Sequence, residues 1–203
     1  MRSGLRVAYG CCVGSWDRFA ANVLPRAREG AAVIAMSGQT SIADAYNAML
    51  DVCKPQDFDM VILQHDDLEI TDPDHVAKFA AAFDSGVHIA GVAGGSARSG
   101  LAWWNCEPVG HQMTNDGPLD FGAHEGLVDL LEGSILAFSY GAQSLRFSSR
   151  PGFHGYDEIA MKAVCAVVDV DTHHHTNLGF DNAASEADWQ AADRWFRQKW
   201  GIK

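Results

Sequence analysis

The 203-residue sequence is poor in the features that assign a class at sight. It has no apolar run of about 18 residues, so no membrane-spanning helix is expected. Its start, MRSGLRVAYGCCVG, lacks the long apolar stretch of a secretory leader. Five cysteines (Cys11, Cys12, Cys53, Cys106, Cys165) form no CxxC pair, and full pairing would leave one over. Buried thiols in a reducing, cytoplasmic setting are therefore expected. Basic side chains are scarce, 15 against 26 acidic ones, and the net charge of -11 repels phosphate backbones. A general nucleic-acid binder is not expected on that ground. GxGxxG, P-loop, GxSxG and HExxH patterns are all missing, and His124-Glu125 has no second histidine at the zinc-hydrolase offset. No internal repeat or low-complexity tract stands out.

What is present is ordinary globular material, 47% hydrophobic. The length suits one domain, residues 1–203, and is short for two. An acidic chain can still hold a nucleotide if a divalent cation screens the diphosphate.

Leu5 to Tyr9 reads as a first strand, ending in Gly10-Cys11-Cys12-Val13-Gly14, with a helix from Asp17 to Leu24 closed by Pro25. Ala31 to Met36 reads as a second buried strand. Ser41 caps the next helix, whose apolar face is Ile42, Ala45, Tyr46, Met49, Leu50 and Cys53. Asp59 to Leu63 is a central strand that runs into Gln64-His65-Asp66-Asp67. Pro73-Asp74 opens another helix, and Val87 to Ala93 supplies a further strand. This alternation calls for an α/β three-layer sandwich with a mostly parallel central sheet.

Between Gly94 and Glu132 the regularity dissolves into turn signals around Trp103-Trp104 and His111, the pattern of functional loops or of short edge strands. Ser134 to Tyr140 resumes the strand pattern. Tyr156 to Val164 reads as a short helix and Ala166 to Val170 as a strand. Ser185 caps a last helix whose stripe of Trp189, Ala192, Phe196 and Trp200 reads as core packing.

The sharpest chemical cue is His65-Asp66-Asp67. Groups just past the carboxyl end of a central strand face the ligand crevice of a parallel sheet. Adjacent carboxylates beside an imidazole need a cation or proton to coexist, and Mg²⁺, Mn²⁺ or zinc would serve. A solvated acidic turn is the plain alternative. Of His173-His174-His175, at most two can share a site on extended backbone. Asp157, at the start of a predicted helix, reads as either a helix cap or a catalytic base.

Taken in order, SIADAYN from Ser41, VILQHDDLEI from Val61, AGVAGG from Ala90, EGSILAFS from Glu132, GFHGYDEIAMKA from Gly152 and VVDVDTHHH from Val167 resemble glycosyltransferases of the GT-A fold. Within the large family-2 group, the chain is similar to the subgroup named for a streptomycin-biosynthesis protein. The resemblance implies a DxD-type metal motif at His65-Asp66-Asp67, with histidine in the first carboxylate place. It implies Asp67 and His175 as ligands of Mn²⁺ or Mg²⁺, with His175 preferred over His174, and Asp157 as the base that deprotonates an acceptor hydroxyl. Cys11, Ser37, Tyr46, Asn47, His65 and Asp66 would then surround the nucleotide, and Trp104 or Trp103 would stack on a sugar. The implied partners are a nucleoside-diphosphate sugar and a small or glycan acceptor, with self-association left open. The implied reaction is single-displacement, inverting transfer. A nucleotidyltransferase, or a non-catalytic nucleotide- or sugar-binding module, remains as the rival reading.

Overall fold

The computed structural model describes residues 4–27, 30–150, 152–179 and 183–203. The first three residues of the stretch read for a leader lie outside these. Strand β1 (Val7–Val13) is longer than its apolar core predicts. It runs through Gly10-Cys11-Cys12 because Gly10 has no side chain: a Cβ there would lie 2.6 Å from Leu63 and 2.8 Å from the Met49 sulfur. The expected first helix is a composite. A single α turn, α1 (Trp16–Arg18), passes into a π turn over Phe19–Val23 and a 3-10 turn over Leu24–Arg26 that contains Pro25. Strand β2 (Ala32–Ser37) is an edge strand and is only half-buried, which corrects the expectation of a buried one.

Helix α2 (Ile42–Cys53) forms as its sequence dictates. Ser41 Oγ accepts the Asp44 N–H at 3.1 Å, and the whole predicted apolar face is buried. Strand β3 (Met60–His65) is followed by the Asp66-Asp67 turn and β4 (Leu68–Ile70). Helix α3 (His75–Asp84) leads to β5 (Ile89–Gly91). The single strand expected over Val87 to Ala93 is broken at Val92, where the chain leaves one sheet and enters the other as β6 (Ala93–Gly95).

The irregular stretch carries short strands and no α-helix: β7 (Val109–Thr114), β8 (Gly117–Asp120), β9 (Gly126–Val128) and β10 (Leu130–Leu131). Then come β11 (Ile135–Ser139), a 3-10 helix over Tyr156–Lys162, β12 (Cys165–Val167), β13 (Thr172–His174) and α4 (Ala183–Trp200). Ser185 therefore sits inside the first turn of α4 and does not precede it.

The larger sheet has the order β2-β1-β3-β11-β5-β12-β9. Its β2-β1-β3 and β5-β12 pairs are parallel, whereas β11 is antiparallel to both neighbours and β9 is antiparallel to β12. The architecture is thus α/β with mixed sheets, not the mostly parallel sheet expected. A parallel return needs a crossover, usually a helix, and the chain between β5 and β11 supplies strands in its place. The smaller sheet runs β10-β6-β7-β13-β4, with β8 paired to β7.

Alternation along the strands fills two cores. Val61 and Leu63 pack with Tyr46, Met49 and Leu50 of α2 on one face. Met60 and Ile62 pack with Val76 and Phe79 of α3 on the other. A third cluster joins Ala192 and Phe196 of α4 to Leu101 and Trp103. No helix among the described residues is long and apolar enough to cross a membrane. All five cysteines are free.

Candidate functional site

The three parallel strands end level with one another: Cys12 is in register with both Met36 and His65, and Val13 with Ser37. His65, Asp66 and Asp67 therefore emerge at one rim of the sheet. The β4–β13 ladder brings the histidine run to the same rim, with His174 opposite Leu68 and the His175 N–H bonded to the Asp67 carbonyl at 2.7 Å. Side chains alternate across extended backbone. His174 thus faces His65 and Asp67, while His173 and His175 face the other way, toward Glu69.

The side chain of His175, the histidine preferred as a ligand, lies apart from the Asp67 carboxylate. Its Nε2 lies 3.3 Å from Glu69 Oε2, and its ring stacks on His173 at 3.9 Å. His174 Nε2 is the group at 3.3 Å from Asp67 Oδ1, and His65 Nδ1 is 3.8 Å from the same oxygen. The His65, Asp67 and His174 ligand atoms all lie within 4.8 Å of one another.

Electrostatics follow from this packing. Burial alone would raise the Asp67 carboxyl, but the His174 hydrogen bond and nearby positive charge outweigh it and hold Asp67 at about 2. Burial would lower His174, yet its bond to Asp67 and the Glu132 charge raise it above the ordinary imidazole value. Burial and the neighbouring His174 pull His65 down, which favours a neutral ring. The Tyr156 hydroxyl lies 2.7 Å from His65 Nε2 and fixes the ring, so that Nδ1 faces Asp67. Two imidazoles and an ionised carboxylate with a supporting hydroxyl form a donor set that suits a divalent ion.

His65 and His174 open on a cavity of about 590 Å³ that Glu132, Asp157, Trp104 and Trp189 also line. Asp157 belongs to the 3-10 helix whose cap is Gly155, in the left-handed conformation, so capping is not its role. Desolvation pushes the Asp157 carboxyl up to about 7, and the charges of Glu132 and Glu158 add to that rise. No ion pair among the described residues neutralises it. Trp103 is buried against Phe121, while Trp104 is exposed at the cavity edge. In another cavity of like volume beside α3, three of the titratable groups are committed elsewhere: Asp72 to Lys78, His75 to Tyr9, and Arg26 to Glu69.

Several residues expected around a nucleotide are turned inward. Asp66 Oδ2 accepts the Gly14 and Ser15 N–H groups at 2.8 and 2.6 Å, and Oδ1 meets Arg18 at 3.1 Å. Asp66 thus ties the turn to the loop after β1. Cys11 is buried among Val13, Phe19 and Val23, and burial pushes its thiol well up. Tyr46 is fully buried in the core. Asn47 exchanges two hydrogen bonds with the Phe147 backbone, at 2.8 and 3.0 Å, as a strand neighbour would. Ser37 alone of the β1–β2 group is exposed at the rim.

Sequence reasoning missed Glu132, Gly133 and Tyr156. Glu132 Oε2 accepts the Ser134 N–H at 2.9 Å, and the antiparallel register of β11 with β3 carries it to His65. A Cβ on Gly133 would lie 2.3 Å from the Tyr156 hydroxyl, so only glycine leaves room for the ring that holds His65. The signal was the Glu-Gly pair just before a predicted strand, which becomes meaningful only once β11 is known to neighbour β3.

No protein-family model matches the chain. Its fold is similar to that of A197 from STIV, with a TM-score of 0.59 at 13% identity, covering 85% of this chain and 87% of that one. It is also similar to GalNAc-T7, solved with UDP, GalNAc and Mn²⁺, with a TM-score of 0.52 at 8% identity over 88% of this chain and 45% of that one. In sequence it is 32% identical to streptomycin biosynthesis protein StrF of Streptomyces griseus over 212 residues, which take in 95% of this chain and 74% of that protein. At that identity and coverage, the chain belongs to the StrF family of glycosyltransferase family 2-like proteins.

Proposed function

We propose that this chain, as a single GT-A domain over residues 1–203, transfers a sugar from a nucleoside-diphosphate sugar to an acceptor hydroxyl with inversion. The observation that carries the reading is the opening on one cavity of Asp157 and of His65 and His174, the two imidazoles clustered with Asp67. Family membership and the fold shared with GalNAc-T7 support it.

His65 Nδ1, Asp67 Oδ1 and His174 Nε2 are the atoms that would hold Mn²⁺ or Mg²⁺, and two nitrogens favour manganese of the two. A divalent ion there supplies positive charge for a departing diphosphate. Tyr156 keeps the His65 ring oriented through its hydroxyl. Ser37 offers a hydroxyl to the nucleotide at the rim, while Cys11, Tyr46, Asn47 and Asp66 hold that rim from behind. Asp157, ionised near neutral pH, takes the proton of the acceptor hydroxyl as that oxygen attacks the anomeric carbon. Trp104 offers an exposed ring face at the cavity edge to a sugar.

The test is incubation with UDP- and GDP-sugars, Mn²⁺ and simple acceptors, with the nucleotide product followed. Release of nucleoside diphosphate with an inverted product is expected. Pyrophosphate would identify a nucleotidyltransferase, and binding without turnover a non-catalytic module; either result ends the proposal.

A further inference from the structure

Three imidazole–carboxylate clusters occur among the described residues, and each is best judged by what already neutralises it. The first belongs to the site above. In the second, Glu69 is taken by the Arg26 guanidinium, which leaves a cation little to gain. The third is different.

His111 on β7, His124 after β8 and Asp169 between β12 and β13 meet on the smaller sheet. His111 Nε2 is 2.7 Å from Asp169 Oδ1, and His124 Nδ1 is 3.6 Å from the same oxygen. A tetrahedral zinc ion with bonds near 2 Å needs ligand–ligand edges of about 3.3 Å. The two imidazole rings stack with centroids 4.3 Å apart, a spacing at which two protonated rings would repel.

Each remaining ring nitrogen also faces a carboxylate. His124 Nε2 is 3.4 Å from Asp120 Oδ1, and His111 Nδ1 is 3.9 Å from Asp171 Oδ1. The His124–Asp120 contact is of the kind by which metal-bound histidines donate their second N–H to a carboxylate, which fixes ring orientation and raises basicity, whereas Asp171 lies beyond hydrogen-bond distance of His111. Among the described residues no lysine or arginine pairs with the Asp169, Asp120 or Asp171 carboxylates. Lys78, a nearby cation, bonds the Asp169 backbone carbonyl and the Asp72 carboxylate.

We infer that His111, His124 and Asp169 form a second metal site, separate from the transfer centre, that takes zinc or a similar borderline ion. Asp120 orients the His124 ring, Asp171 adds negative charge near His111, and solvent completes the coordination. The metal ties the β7–β8 hairpin to the β12–β13 connection. That hairpin carries Leu119, and Phe121 follows it; both line the cavity, so the staple stiffens one cavity wall.

The test uses the full chain stripped of metal, titrated with Zn²⁺ against a chromogenic chelator and with Co²⁺ for its visible spectrum. Asp67→Ala removes a ligand from the cavity cluster. The D67A chain should still take up zinc and give the intense visible bands of low-coordinate cobalt. Adding His124→Ala should remove one equivalent or weaken it at least tenfold, and adding Asp120→Asn should weaken it about tenfold. If D67A does not fold, the same comparison is made in the wild-type chain, where H124A should lower zinc uptake by one equivalent. Unchanged uptake and an unchanged cobalt spectrum on adding H124A overturn the proposal, as does a folded D67A chain that takes up no zinc.

Discussion

At the scale of single residues, Asp157 concentrates the testable chemistry. Asp157→Asn removes the proton acceptor and keeps the shape, so turnover should collapse by a factor of at least a hundred while nucleotide affinity, read by titration calorimetry, stays nearly constant. Because desolvation raises this carboxyl to about 7, the rate of the wild type should climb with pH through that value as the base ionises. Stability moves oppositely. Between the ordinary aspartate value and about 7 the folded protein holds a proton that the unfolded chain has lost, so this group makes stability fall as pH rises through that window. D157N should therefore gain melting temperature relative to wild type at pH 8 and show no gain at pH 3.5. Gly133→Ala tests a positioning role. The new methyl displaces the Tyr156 ring, frees His65, and should lower metal affinity about tenfold with little change in secondary structure by circular dichroism.

At the scale of elements, the site depends on β4 pairing with β13 and on α4 bracing the wall that contains Trp103 and Trp104. Helix α4 is held by an apolar face and by polar contacts along its length. Phe196 is fully buried, the Leu101 N–H donates to Asp193 at 2.7 Å, and Lys199 reaches the buried Glu158, which Lys162 also bonds. Glu158→Ala leaves both partly exposed lysines without their carboxylate and should cost roughly 1–3 kcal/mol in denaturant unfolding. Ser41→Ala tests the start of α2. Ser41 Oγ caps the helix and also donates to the Arg150 carbonyl at 2.7 Å, so a loss of about 1–2 kcal/mol is expected. These two elements also show what a sequence displays. The start and buried face of α2 were readable because the Ser41 cap, the periodicity and the Lys54-Pro55 stop all lie within fifteen residues. The break of β5 from β6 at Val92 was not, because an apolar run looks the same whether it stays in one sheet or changes sheets.

At the scale of the whole molecule, the proposed ligand has a thermodynamic signature. A nucleoside diphosphate that binds only the folded chain stabilises it by about 2.7 kcal/mol at a hundredfold excess over Kd. With Mn²⁺ present, UDP or GDP should raise the melting temperature of the wild type by several degrees, and Asp67→Ala should abolish most of the metal-dependent part. A shift that is the same with chelator present would show that Asp67 and its histidines take no part in nucleotide binding.

By itself the sequence determined strands β1, β3 and β11, the α2 face, the acidic character and the place where His65 and Asp67 leave β3, because each is a local consequence of spacing and composition. It also restricted the three histidines to opposite faces. Which of them meets Asp67 was decided only by the β4–β13 register, since a slip of one residue would exchange His174 for its neighbours. The inward turn of Asp66, Cys11, Tyr46 and Asn47, and the arrival of Glu132 beside His65, were likewise settled by contacts between segments distant in the chain. Side-chain direction and burial are properties of those contacts, and no local pattern encodes them.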